Sequence, residues 1–402
     1  MKIVFVNPVG VIGGAERVLL TIIAALLNTK PNIQLFLIVG TDGPLIEEAE
    51  KLGVQVKLVK LPEELNQLGD SAFKGSNRAV MGLILLFRLV KILPNIGQYL
   101  REFQRSLQQL QPDLIHSNGI KTHLLIALAG IKDIPIIWHI HDFYSSRPFM
   151  ARVLKQVSYG AKLGIAISEA VAKDAKTTLP KLPIELIYNA VDINYFSPIP
   201  SPRHTFLKIG LVATFARWKG HDIFLAAAAE IIKTYPNLNV RFCIVGGAIY
   251  KTRGSQFSEQ ELKDKAAHLE IADKVDFLGF QQDIAQVYRD LDIVIHASTQ
   301  PEPFGLAIVE AMACGKPVIV SQAGGAAELF THNYDAVGVP PGEPKALAAA
   351  IIDLLENPEK RQFLSANARK TATNNFSHQR YGEQIITIYQ QVKWSDKIKF
   401  TR

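Results

Sequence analysis

A chain of 402 residues is too long for one ordinary core and suits two domains of roughly 200 residues each. Its 48% hydrophobic and 20% charged residues are interleaved throughout, which excludes a disordered or fibrous chain. The formal net charge of +7 favours an anionic partner, either an acidic membrane surface or a phosphorylated substrate; with no Arg-rich tract and no RNA-binding aromatic signature, nucleic acid is not expected.

The chain opens on MKIVFVNPVG, a short strand-like run before a glycine loop, and lacks the longer apolar stretch of a signal peptide. Short apolar runs then alternate with amphipathic stretches, the pattern of β-α-β units in a parallel sheet. In the first half the strands are expected at 3–7, 35–39, 54–59, 114–117, 135–140, 164–168 and 184–189. Between the first two, a helix from Gly14 to Leu27 gathers Val18, Leu19, Ile22, Ile23 and Leu26 on one face. Residues 79–93, AVMGLILLFRLVKIL, have Lys74, Arg78, Arg88 and Lys91 in or near them and are too short and too charged to span a bilayer. They read two ways, as a segment lying on an anionic membrane surface (a peripheral membrane contact through 74–93) or as a buried helix of the first domain.

Three prolines in SPIPSPRH, residues 197–204, mark a boundary, because that run can continue neither a ladder nor a helix. A second series of strands follows at 207–213, 240–246, 274–280, 292–298 and 316–322, then helices from about Lys345 to beyond Pro358. Cys243 and Cys314 sit in apolar runs without metal-ligand spacing and read as small buried hydrophobes in a reducing, cytoplasmic setting. The fold class expected is α/β, two doubly wound parallel-sheet domains with a cleft between them: 1–196, a linker at 197–204, 205–376, and a last helix at 377–402. Such sheets bind ligands at the carboxyl ends of their strands, where the distinctive residues of this chain cluster.

The strongest cluster is PEPFGLAIVEAMACGKPVIVSQAGGAAELF, residues 301–330. Glu302 precedes a proline and is biased towards extended backbone, while Glu310 falls inside a helix expected from about Gly305 to Ala313. Eight residues of helix span ~12 Å, about one nucleotide-sugar fragment. A carboxylate accepts two sugar hydroxyls at once, so one glutamate can hold the transferred sugar and the other a ribose diol, with a diphosphate at the helix N-terminus between them. Two solvated surface glutamates are the plainer alternative, but AIVEAMA is an apolar setting in which Glu310 needs a partner. Gly324 and Gly325 form either an anion cradle or an ordinary turn.

Arg217 and Lys219, in ATFARWKGHD directly after the first strand of the second domain, would stabilise a leaving diphosphate without a divalent metal. The alternative for both is a solvated helix start. No Asp-x-Asp metal site is convincing, and no cofactor is implied. In NPVGVIGGAERV, Gly13 and Gly14 let the backbone approach a donor phosphate or an acceptor, although the full dinucleotide fingerprint is missing. WHIHDFY closes a strand with His139 and His141 on one face and Asp142 beside them; His116 and Ser117 follow a neighbouring strand. His141 reads as a residue beside a reacting sugar, whereas His139 is also open to a structural role.

These motifs together resemble glycosyltransferase family 4, the large retaining group with the GT-B architecture of two facing Rossmann-like domains. The likeness runs through GGAERV (13–18), HSNG (116–119), HD (141–142), Ser168, NAVD (189–192), WKG (218–220), EPFGLAIVE (302–310) and GGAAE (324–328). It implies a hexosyltransferase that takes a nucleotide-sugar donor on the second domain and a glycan or lipid-linked acceptor on the first, in polysaccharide or glycolipid biosynthesis. Glu302 would hold the donor sugar together with backbone groups of Phe304 and Gly305, with Leu306 beside them, and Glu310 would hold the ribose. Lys219 would neutralise the diphosphate, His141 would line the sugar side of the cleft, and His116, Asp142 and Ser168 would lie on the acceptor side. The base would be read near Gly279 and Phe280, and the last helix would cross back to the first domain. Two departures stand out: Thr214 occupies a position where many members carry an arginine, a role that falls to Arg217, and NAVD replaces NGVD. The resemblance also implies retention at the anomeric carbon by front-face attack. Two rival classes are a nucleotide-sugar epimerase or phosphorylase of the same fold and a degenerate, non-catalytic carbohydrate-binding protein.

Overall fold

The computed structural model describes residues 1–62, 78–200, 205–248 and 254–399, with the backbone alone at 78–93 and 394–399. The chain divides into two compact units, Met1–Tyr188 with Gln379–Arg402, and Asn189–His378.

The first unit alternates strands and helices in the order β1 (Lys2–Asn7), α1 (Gly14–Thr29), β2 (Gln34–Val39), α2 (Pro44–Lys51), β3 (Gln55–Leu58), α3 (Arg78–Leu110), β4 (Leu114–Asn118), α4 (Ile120–Leu128), β5 (Ile136–Ile140), α5 (Pro148–Val157), β6 (Leu163–Ala166), α6 (Glu169–Thr178) and β7 (Ile184–Leu186). Every strand pairing is parallel, in the order β3-β2-β1-β4-β5-β6-β7. All five residues of β4 and of β5 are buried, as expected for strands with both faces covered. In α1, Val18, Leu19, Ile22, Ile23 and Leu26 are buried, and each contributes about 1.5–3 kcal/mol.

The chain's last helix, His378–Lys399, supplies Tyr381, Ile385, Tyr389 and Val392 to this unit's core. Gly382 lets it approach α1 closely: a Cβ there would lie 2.3 Å from Thr29 Oγ1 and 2.7 Å from the Ala25 carbonyl. Lys393 pairs with Asp113 at 3.0 Å, and Arg380 donates to the Tyr188 carbonyl at 2.7 Å.

The second unit runs β8 (Leu207–Val212), α7 (His221–Thr234), β9 (Val240–Val245), α8 (Glu259–His268), β10 (Val275–Gly279), α9 (Ile284–Asp290), β11 (Ile293–His296), α10 (Leu306–Ala313), β12 (Val318–Ser321), β13 (Val337–Val339), α11 (Pro344–Glu356) and α12 (Pro358–Asn375), and it ends where α13, the His378–Lys399 helix, begins. Its sheet is again parallel, ordered β10-β9-β8-β11-β12-β13. Leu211, Phe224, Phe242, Ile244, Ile295, Ile319 and Ile351 are among its packed core. The sequence reading expected five strands here; β13 is the sixth, and its three residues are too few for alternation to register.

Burial pushes the free thiols of Cys243 and Cys314 up to about 11 and about 12, as inert core residues. In each sheet the order reverses once, at β1/β4 and at β8/β11, and a crevice opens at the carboxyl ends of strands on either side of such a reversal. The basic apolar segment 74–93 falls outside the described residues apart from the helical backbone of α3 from Arg78. Among the described residues no helix is long and apolar enough to cross a membrane.

Candidate active site

In the second unit the site forms at the β8/β11 reversal. Beyond β8, Arg217–Lys219 make one 3₁₀ turn that ends at Gly220 with φ +75°. A Cβ at Gly220 would lie 1.8 Å from the Ala297 carbonyl, so only glycine lets the turn settle against the end of β11. That contact delivers Lys219 to Glu302, and its Nζ lies 2.7 Å from both carboxylate oxygens, with the Trp218 ring 4.2 Å away. Ser298 Oγ donates to Glu302 Oε2 at 2.8 Å, and His296 Nε2 stands 3.3 Å from the same atom. Burial alone would raise the Glu302 pKa, but the Lys219 ammonium and His296 outweigh it and hold the carboxyl far below the ordinary carboxylate range. Glu302 is therefore a buried anion with its donors already in place.

The Gly324–Gly325 turn clamps the Glu302 backbone. Glu302 N–H donates to the Ala323 carbonyl at 3.2 Å, and Gly325 N–H donates to the Glu302 carbonyl at 2.7 Å. Gly324 has φ +66°, and a Cβ there would stand 2.5 Å from the Glu302 carbonyl oxygen. Three residues past Glu302, Gly305 (φ +103°) starts α10, with Leu306 half-buried as its first residue. Glu310 lies buried on α10 and accepts from the Tyr288 hydroxyl of α9 at 2.9 Å, a partner for the carboxylate in its apolar setting. Phe304 is buried edge-on to Phe376. Gly279 ends β10 at φ +64°, followed by an exposed Phe280. Arg217 turns the other way: its guanidinium pairs with Glu261 of α8 at 2.7 Å, donates to the Gly254 carbonyl and covers the Phe257 ring. The structure does not bring it together with Lys219 and Glu302.

In the first unit a polar chain runs along the carboxyl ends of β1, β4 and β5. His141 Nε2 lies 2.7 Å from Asn118 Oδ1, Asn118 Nδ2 donates to Asn7 Oδ1 at 2.7 Å, and Asn7 Nδ2 donates to Glu16 Oε1 at 3.2 Å. Gly13 N–H donates to Glu16 Oε2 at 3.0 Å at the start of α1, where Gly14 follows with open space around it. Burial raises the Glu16 pKa, and the Asn7 and Gly13 hydrogen bonds oppose that rise. Behind this chain His116 is fully buried, with Nδ1 2.7 Å from the Tyr389 hydroxyl and Nε2 3.2 Å from His139 Nδ1. The His139 and His141 rings are 4.2 Å apart, in keeping with their common strand face. Burial drives His116 and His141 down to about 3, so both are neutral near pH 7. Asp142 pairs with Arg147 at 3.5 Å. Ser168 caps α6, its Oγ accepting from Val171 N–H at 3.1 Å.

Asn7, Asn118, Tyr288, His296, Ser298 and Tyr389 were not singled out from the sequence. The signal for four of them was position, since Asn7, Asn118 and His296 end strands and Ser298 follows one. Among the described residues no group of three or more His, Cys, Asp or Glu is placed to hold a metal ion.

Comparison with known proteins accounts for both halves. The Glycosyltransferase Family 4 model matches residues 12–195 and the Glycosyl transferases group 1 model matches 197–371. The chain is a family 4-like glycosyltransferase. An uncharacterized glycosyltransferase of Methanocaldococcus jannaschii is 25% identical over 69% of this chain and 75% of its own length. A D-inositol 3-phosphate glycosyltransferase of Saccharomonospora viridis is 33% identical over 43% of this chain and 40% of its own. The glycosyltransferase thus spans about half or less of several curated relatives it matches. The Anabaena protein HepE, solved in complex with UDP-glucose, superposes with a TM-score of 0.79 and 27% identity over 97% of this chain and 100% of that one.

Proposed function

We propose that this glycosyltransferase moves a hexose from a nucleoside diphosphate-sugar to a glycan or lipid-linked acceptor, without a metal ion and with retention at the anomeric carbon. The observation that carries the reading is the buried, Lys219-paired Glu302 at the β8/β11 reversal, its Oε1 met among the described residues by Lys219 alone, with a second buried carboxylate, Glu310, eight positions on. In this reading Glu302, with the Phe304, Gly305 and Leu306 backbone, takes hydroxyls of the donor sugar, and Glu310 takes the ribose diol. Lys219 supplies positive charge to the leaving diphosphate, the role that would otherwise fall to a metal. The bond from the anomeric carbon to the phosphate oxygen breaks as the bond to the acceptor oxygen forms, and the acceptor's proton passes to the departing phosphate. In the same reading the base is met near Gly279 and Phe280, at the end of β10, and His141 offers its ring to a sugar hydroxyl. The UDP and UDP-glucose complexes of HepE make UDP-glucose the first donor to test. The setting proposed is cytoplasmic, with the basic apolar segment 74–93 bringing the enzyme to an anionic membrane face.

Calorimetric titration with UDP, GDP and ADP in the presence of EDTA tests this directly. One nucleotide is expected to bind, and Glu310→Ala is expected to weaken it about tenfold or more, through lost hydroxyl contacts. Glu302→Ala should instead reduce turnover more than nucleotide affinity. Equal affinity for wild type and Glu310→Ala would overturn the ribose assignment, and binding only after a divalent ion is added would overturn the metal-free mechanism. The anomeric coupling in the product's proton spectrum reads retention.

A further inference from the structure

The polar chain in the first unit has a direction, and that direction fixes the chemistry of His141. Two backbone carbonyls, which cannot act as donors, set it. Asn7 Nδ2 lies 2.6 Å from the Val9 carbonyl, and Asn118 Nδ2 lies 3.3 Å from the Ala15 carbonyl. Each asparagine must therefore point its NH₂ group towards its carbonyl, leaving its oxygen as an acceptor on the other side. Glu16 completes the polarity: its two oxygens face the Gly13 N–H and the Asn7 NH₂, both donors, so only an acceptor on both sides satisfies them. Asn7 Oδ1 consequently accepts from Asn118, and Asn118 Oδ1 is left to accept from the one remaining neighbour, His141 Nε2 at 2.7 Å.

We propose that Glu16, Asn7 and Asn118 are positioning residues that hold His141 as the Nε2–H tautomer, so that Nδ1 meets a sugar hydroxyl as a hydrogen-bond acceptor. The ring is half-buried and Nδ1 makes no hydrogen bond within the described protein, which leaves it open to a ligand. Burial keeps the ring neutral, as a lone pair at Nδ1 requires. A carboxylate in place of Asn118 would instead favour an imidazolium, with two donors and no acceptor. The amide is what allows an acceptor to face the ring without charging it. Glu16 stands three residues after Gly13, in the first turn of α1, so the GGAE run serves a ring that follows directly on β5, well over a hundred residues later in the chain. That His141 faces a sugar at all rests on the function proposed above; the tautomer does not.

The test separates the two. Nitrogen–proton correlation spectra of the full chain with ring-¹⁵N histidine report which nitrogen of each neutral ring carries the proton. His141→Gln removes one set of signals and identifies it. At neutral pH the expected pattern for His141 is a protonated Nε2 and a bare Nδ1; a protonated Nδ1 or a doubly protonated ring overturns the proposal. Asn118→Asp is expected to convert the ring to the doubly protonated form at the same pH and to raise the KM for UDP-glucose about tenfold while leaving UDP affinity unchanged. An unchanged ring spectrum in that variant refutes the relay. Added UDP-glucose should shift the His141 Nδ1 signal and UDP alone should not; an equal response to UDP alone overturns the sugar contact. If neither compound perturbs any signal in the spectrum, the donor reading itself fails, whatever the tautomer.

Discussion

Replacing Lys219 with methionine removes the cation from a largely buried carboxylate. The Glu302 side chain is 9% exposed and that of Lys219 19%, so the pair lies between a surface bridge, worth at most about 1 kcal/mol, and a fully buried one, whose breaking costs about 3–5 kcal/mol. Ser298 and His296 still donate to one oxygen, Oε2, and soften the loss, which places Lys219→Met at about 3 kcal/mol. Glu302→Gln should cost about 1–2 kcal/mol, because the amide oxygen can still accept from Lys219 while the NH₂ group meets donors. The informative protein is the double variant. With the cation and the anion both gone no charge is stranded, so it should be more stable than Lys219→Met alone, with a coupling of about 1–3 kcal/mol. Urea unfolding of all four proteins, followed by circular dichroism and fitted for the transition of the second unit, gives the cycle. A Lys219→Met penalty below about 1 kcal/mol, or strict additivity of the two singles, would refute the view that Glu302 is held as an anion chiefly by Lys219.

Acid should weaken the first unit in a defined window. His116 and His141 have folded values near 3 against an ordinary 6.5, so between those values the unfolded chain binds more protons; stability is complete above about pH 6.5 and is lost as pH falls towards 3. Urea midpoints that stay level from pH 8 to pH 4 would contradict this. Tyr389→Phe strips the buried His116 Nδ1 of its 2.7 Å partner and should cost about 1–3 kcal/mol, seen as a lower melting temperature; an unchanged one would show that the hydroxyl contributes nothing. Gly324→Ala places a Cβ 2.5 Å from the Glu302 carbonyl at φ +66° and should cost at least about 2 kcal/mol, whereas Gly14→Ala meets nothing within 4 Å and should leave the melting temperature unchanged. If Gly14→Ala then loses activity, the cause is a ligand crowded at that loop.

The alternation of apolar runs was enough to read two parallel sheets, because strands buried on both faces are written as unbroken Val, Ile and Leu. Glu302, Glu310 and Lys219 were legible as candidates for a related reason: local spacing places Lys219 and Glu302 in the loops that follow strands and Glu310 in the helix after one of them, and an isolated glutamate in AIVEAMA demands a partner. The identity of that partner was not legible, since Tyr288 meets Glu310 across α9 and α10 and nothing in either helix announces the other. Ser298 and His296 were hidden inside what reads as strand β11 and its exit. The direction a long side chain takes is likewise not a property of its own segment, and Arg217 turns to Glu261 because α8 begins beside it. His116 and Ser168 occupy motif positions, yet one is packed against Tyr389 and the other caps a helix, so neither side chain lies open. The join between Tyr188 and Asn189 has no compositional mark, whereas the conspicuous proline run lies a few residues further on.

The docking of the Gln379–Arg402 segment onto the first unit through Gly382, Tyr389 and Lys393 bears on how the protein is made. On a ribosome the N-terminal unit is the first to emerge but cannot close its core, because His116 has no Tyr389 to face and the surface of α1 near Thr29 stays uncovered. The middle of the chain, Asn189–His378, has all of its sheet once α12 has been translated. Biosynthesis therefore inverts the usual vectorial order: the second unit can mature while the first waits with its seven strands made but its covering helix missing. During that interval the unit carrying His116 and His139 is the one exposed to chaperones and proteases, so a stop codon placed just before Gln379 would be expected to release a chain whose N-terminal part is degraded and whose middle survives.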